Sequence, residues 1–138
     1  MASSDVRSLC GVLMLGLAGC AAAPEPVIAD ALMTGVVMRS GKAVTISVGF
    51  SRQVQVGANE VVISAMQDSV MVDALLLTVS AEMPSMGHGS SGSVKPTRGD
   101  DGRYRGTVVF SMAGDWVLKL AVMADDMALG SFEFAIPL

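Results

Sequence analysis

The chain has 138 residues, of which 51% are hydrophobic, 16% charged and 4% aromatic, enough for one domain with a genuine core. Nine Lys and Arg stand against 13 Asp and Glu, a net charge of −4, and this mildly acidic balance excludes a nucleic-acid phosphate backbone as partner. The apolar content excludes intrinsic disorder, and outside the N-terminus the apolar runs are too short to span a membrane.

At the N-terminus, Arg7 is followed by an apolar run over residues 9–17 and then by Leu17-Ala18-Gly19-Cys20. A basic start, a short apolar stretch and small residues at its close predict an export signal over residues 1–19 rather than a spanning helix. The tetrapeptide resembles the lipobox of bacterial lipoproteins. That resemblance implies cleavage before Cys20 and acylation of its thiol and new amino group. The alternative is an ordinary signal peptide cut within residues 21–23. Residues 20–30 read as a tether, stiffened away from helix by Pro24 and Pro26, and residues 31–138 as the folded domain. Cys10 leaves with the signal and Cys20 is blocked, so a cysteine nucleophile, a zinc finger and an iron–sulfur cluster are all excluded. The expected location is the cell envelope, outside the cytoplasm and anchored by lipid. Ala21 stands where an aspartate is associated with inner-membrane retention, which points to the outer membrane in a Gram-negative host.

The rest of the chain alternates short runs of Val, Ile, Leu and Thr with Gly, Ser, Asn and Asp, and nothing sustains a period of 3.6. Strands are predicted over 32–39 and 42–50, a hairpin turning at Ser40-Gly41, with Val44, Ile46, Val48 and Phe50 on one face. A short piece at 54–56 and a turn at Gly57-Ala58-Asn59 precede a strand over 60–67. After a turn at Asp68-Ser69, residues 73–83 place Leu75, Leu77, Val79, Ala81 and Met83 on one face and Thr78, Ser80 and Glu82 on the other. Residues 84–102 hold no apolar run and read as a long polar loop. The strand over 102–112 puts Tyr104, Val108, Phe110 and Met112 on a common face. A turn at Ala113-Gly114-Asp115 leads into a strand carrying Trp116, Leu118, Leu120 and Val122, and after a turn over 125–130 residues 131–136 close the fold. About seven strands at regular spacing predict an all-β fold, an immunoglobulin-like antiparallel β-sandwich.

Catalytic residues are not expected, and the chain does not read as an enzyme. His88 is the only imidazole and lies among glycines and serines, with nothing to fix it as a base. Gly87 to Gly92 match a dinucleotide-binding spacing, but no helix can open before Pro96. The acidic pairs Asp100-Asp101 and Asp125-Asp126 read as solvated turns.

The methionines carry more. Nine of the 11 lie after residue 20, and Met83, Met86 and His88 fall together as Met-Pro-Ser-Met-Gly-His. Thioethers and imidazole form a neutral, soft-to-borderline donor set that favours Cu(I), and one imidazole without an anionic donor suits Cu(II) poorly. Met112 is placed to approach from the side, with Trp116 capping the neighbourhood. Packing is the competing account: Met66, Met71, Met112 and Met123 sit in apolar runs, and Met83 fits the inward face of its strand. A polar loop offers Met86 and His88 no such explanation.

Taken in order, Val56-Gly57-Ala58-Asn59, Val72-Asp73-Ala74, Met83-Pro84-Ser85-Met86-Gly87-His88, Gly102-Arg103-Tyr104-Arg105-Gly106 and Phe110-Ser111-Met112-Ala113-Gly114-Asp115-Trp116 resemble the YtkA-like domain, related to the FixH group of exported and membrane-anchored bacterial proteins. The resemblance covers about residues 50–136. It implies an immunoglobulin-like sandwich at the cell envelope, associated with copper handling or cytochrome oxidase maturation. It also implies metal ligands at Met83, Met86, His88 and Met112. One departure is the turn Asp68-Ser69-Val70-Met71, where the family usually places a glycine. The expectation is a lipid-anchored carrier or store of Cu(I), its partner a copper-receiving or efflux protein. The alternative is an interaction module supporting an efflux assembly or oxidase.

Overall fold

The structure, a computed structural model, describes residues 33–138, and of residues 88–91 the backbone alone. The expected signal at 1–19, Cys20 and the tether at 20–30 lie outside the described residues. Ten strands follow one another: β1 (Met33–Arg39), β2 (Lys42–Phe50), β3 (Gly57–Gln67), β4 (Val70–Met71), β5 (Leu76–Met83), β6 (His88–Val94), β7 (Thr97–Arg98), β8 (Tyr104–Phe110), β9 (Asp115–Ala124) and β10 (Met127–Pro137). One sheet runs β1-β2-β3-β8-β7, with β4 also on β3, and the other runs β10-β9-β5-β6. Every pairing is antiparallel. The two sheets enclose one core, as an antiparallel β-sandwich does. Among the described residues no helix is long and apolar enough to cross a membrane.

The seven expected strands are all present, and their inward faces are the ones the alternation predicts. Val44, Ile46, Val48 and Phe50 are fully buried, as are Leu77, Val79, Leu118, Leu120 and Val122. Three further strands, β4, β6 and β7, accompany them. Two of these fall in the stretch expected to be a loop: residues 84–102 contain the single 3-10 turn Pro84–Met86 together with β6 and β7. β6 is a strand because its backbone completes the edge of β5, with a register shift opposite Ser80 to Glu82. Gly57-Ala58-Asn59 is a second correction. These residues are not a turn but the start of β3, paired with Phe110, Val109 and Val108. The turn lies just before them. Buried Asn59 holds it, its amide nitrogen donating to the Gln55 and Gly57 carbonyls and its oxygen accepting from the Gln55 amide.

Register gives the sandwich two distinct ends. Met33 stands at mid-height on the row of Met33, Val48, Ile63 and Tyr104, while Phe50, Gly57 and Phe110 of the same sheet lie toward the end where Met83, His88, Asp115 and Pro137 of the other lie. There the rings of Phe50 and Phe110 stand 6.2 Å apart and those of Phe110 and Trp116 5.4 Å apart, filling the gap between the sheets. The opposite end is closed by three two-residue hairpins at Ser40-Gly41, Asp68-Ser69 and Asp125-Asp126, all six residues at positive φ. That geometry matches the right-handed twist of the strands. Tyr104 pins the crossover at this end: its hydroxyl donates to the Val72 carbonyl at 3.2 Å and accepts from the Leu75 amide at 3.3 Å.

Candidate functional site

The four candidate ligands all belong to the tryptophan end. Met83 is the last residue of β5 and only 5% exposed. Its thioether points at the loop over residues 111–114. A Cβ built on Gly114 would lie 2.8 Å from the Met83 Cε and 3.6 Å from its Sδ. Met83 is thus a core side chain whose sulfur reaches the underside of the loop that carries Met112.

Pro84, with φ preset for a tight helical turn, opens the 3-10 turn that follows. Gly87 ends it in the left-handed conformation, at φ 64, with its amide donating to the Pro84 carbonyl at 3.3 Å. That reversal lifts Met86 to the surface, 50% exposed, and returns the chain so that His88 pairs with Met83 at the start of β6. The His88 side chain lies outside the described parts.

Met112 corrects an expectation. The alternation Tyr104, Val108, Phe110 extrapolates to a core-facing Met112, but β8 stops at Phe110 and Met112 is 44% exposed. Its backbone is nevertheless fixed. The Trp116 indole N–H donates to the Met112 carbonyl at 2.9 Å, and Gly114 exchanges two backbone hydrogen bonds with Leu138, at 2.9 and 3.0 Å. Trp116 therefore acts from beneath as well as beside. It fills the core against Phe110, holds the 111–114 loop, and shares with Pro84 and Ser85 the wall of an apolar depression of about 370 Å³. Val117, Ala135, Ile136 and Pro137 complete that wall.

Two exposed thioethers thus stand on separate connections, which Met83 and Trp116 tie to one another. Among the described residues no three His, Cys, Asp or Glu side chains converge as a metal cluster. A second depression at this end, about 280 Å³ and lined by Ser51, Arg52, Gln55, Asn59, Glu60 and Thr107, is polar. Both side-chain donors of Asn59 are spent on the loop itself. Sequence reading missed three supports of this end: Asn59, Gly114 against Met83, and the Gly114–Leu138 exchange. Only the Met-Ala-Gly spacing before Trp116 hinted at the second.

Fold and loops together define a small β-sandwich module with two methionines displayed on the connections of one end. A family model described as YtkA-like matches residues 34–121, and the chain belongs to that family. The match takes in β1 and β2, which lie before the stretch that carried the resemblance, and it includes Met83, Met86, His88, Met112 and Trp116. No curated protein and no solved structure matches the chain.

Proposed function

We propose that this protein is an extracytoplasmic, lipid-anchored carrier or store of Cu(I), anchored through Cys20 and binding the ion with Met86, Met112 and His88 above the Met83 sulfur. The observation that supports it most is the exposure of Met86 and Met112 on two adjoining, backbone-anchored connections. A thioether costs free energy in water, and packing explains neither position. The role is transfer by ligand exchange rather than catalysis. Neutral thioethers bind without first losing a proton, so one can leave the ion as an acceptor's donor arrives.

The test is an anaerobic Cu(I) competition titration against a chromophoric chelator, using a soluble form that starts at residue 30. Stoichiometric binding tighter than about micromolar is expected, and the double variant Met86→Ala/His88→Ala is expected to lose it. Failure of both proteins to compete sinks the copper reading. The apolar depression beside Trp116 favours a second reading, an interaction module of the envelope whose methionines make adaptable protein contacts. Under that reading the double variant loses a protein partner and no metal.

A further inference from the structure

The apolar depression beside Trp116 lies on the outer face of the sheet that contains β9 and β10. Asp115 and Val117 of β9 pair with Pro137 and Ala135 of β10, and these four alternate with buried Trp116 and Ile136. They therefore face outward and form its floor. Pro84 and Ser85 stand beside that floor as a wall, in the turn that ends at Met86.

The lining suits a protein segment better than a small molecule. Small-molecule pockets enclose their ligand and orient it with several placed polar groups. This depression is open along the sheet, and its polar side chains are Ser85 and Asp115. The Trp116 indole N–H is spent on the Met112 carbonyl. What the floor offers is burial of an apolar side chain.

The surround is acidic. Glu82 is the cross-strand partner of Val117, and Glu133 lies two residues from Ala135 along β10, both on the same outer face. Between them Lys119 contacts both carboxylates, Glu82 at 2.8 Å and Glu133 at 3.7 Å. With Asp115, three carboxylates border the depression against one ammonium that two of them already hold. Lys95 follows β6 at the opposite edge of this sheet, and Arg52 lines the polar depression of the other sheet. Cations beside an apolar anchor are therefore matched here, and carboxylates are repelled.

We infer that this depression is a docking seat for a protein segment that carries an apolar side chain flanked by Lys or Arg. The occupant rests against the Pro84-Ser85 wall, next to Met86, and beside the tryptophan that holds the Met112 carbonyl. For a copper carrier, the segment belongs to the protein that exchanges the ion, and docking brings that protein's donors to Met86. This use of the seat rests on the carrier reading above, while the seat itself needs no metal.

The test follows backbone amide shifts of the chain from residue 20 onward, with Cys20→Ser so that no lipid is attached, and with no metal added. Three synthetic peptides blocked at both termini serve as probes: Lys-Leu-Phe-Leu-Lys, Glu-Leu-Phe-Leu-Glu and Lys-Gly-Ser-Gly-Lys. The first is expected to shift Ser85, Val117 and Ala135 saturably, with a Kd below about 1 mM, and the other two to bind roughly tenfold more weakly or not at all. No saturable shift from the first peptide overturns the seat. Equal binding of the Lys- and Glu-flanked peptides overturns the charge match, and equal binding of the Gly-Ser-Gly peptide overturns the apolar anchor. Ala135→Lys changes an exposed position on the edge strand and is expected to weaken the first peptide roughly tenfold, with amides away from the depression unmoved. Undiminished binding by that variant overturns the location. Peptide binding without Cu(I) binding defeats only the copper reading, and Cu(I) binding without peptide binding defeats only the docking seat.

Discussion

The two ends of this sandwich are built on opposite plans. At the hairpin end three connections are as short as strands allow, and the longer crossover over residues 72–75 is locked by the Tyr104 hydroxyl. An ion pair also ties the acidic loop there. Arg105 contacts the Asp101 carboxylate at 2.6 and 2.9 Å and holds that group well below the ordinary carboxylate range, the Arg103 backbone amide adding to the effect. At the tryptophan end the connections are longer and themselves carry exposed methionines, Met86 and Met112, whereas the exposed methionines of the other end, Met38 and Met127, sit on strands beside the tight turns. The contrast teaches that exposed apolar side chains occur at both ends, on strands at one and on connections anchored by buried side chains at the other.

Three substitutions sharpen that contrast. The largest effect is expected from Trp116→Ala, which removes a buried aromatic from the junction of core and loop and costs about 3–5 kcal/mol in denaturant unfolding. Because the same change frees the Met112 carbonyl, Cu(I) affinity of the folded fraction should fall as well, an effect that a purely structural tryptophan would not have. Tyr104→Phe acts only at the other end. It strands the Val72 carbonyl and the Leu75 amide, costing about 1–3 kcal/mol with Cu(I) affinity unchanged. A metal effect from Tyr104→Phe would show that the ends are not separable.

The smallest expected effect is a gain. Ser69 sits at φ 63, a left-handed conformation that costs a side chain about 1–2 kcal/mol. Glycine there removes this cost and adds roughly 0.5–1 kcal/mol of unfolded-chain entropy. Ser69→Gly should therefore raise the thermal midpoint by an amount equivalent to about 0.5–1 kcal/mol. An unchanged midpoint would mean that the turn relaxes in solution.

What could be read from the chain follows from what alternation encodes. β2, β5 and β9 each present one buried and one open face, so their inward residues were evident one by one. β6 was not evident, because glycine and serine have no strand preference and this strand exists by pairing with β5. Met112 shows the opposite failure. Alternation is a property of a strand, and extending it two residues past Phe110 assigned a core position to a residue in the next loop. The methionine positions themselves were legible from composition against context. The contacts that bind their loops together, Met83 with Gly114 and Trp116 with Met112, arise from tertiary approach and leave no local mark.

The loop that carries Met112 is also one of only three places among the described residues where the chain passes between the two sheets, the others being residues 72–75 and 95–96. With its two cysteines at positions 10 and 20, the sandwich has no disulfide to staple its layers. Met83 and Met86 lie at the end of a strand in one sheet, whereas Met112 rides on the passage from the other. An ion held between them acts as a removable rivet across the layers. By mass action, a ligand at 1,000 times its dissociation constant adds about 4 kcal/mol to the folded state. Under the proposed function, cargo and fold are thermodynamically linked: a loaded molecule would resist unfolding and proteolysis better than an empty one.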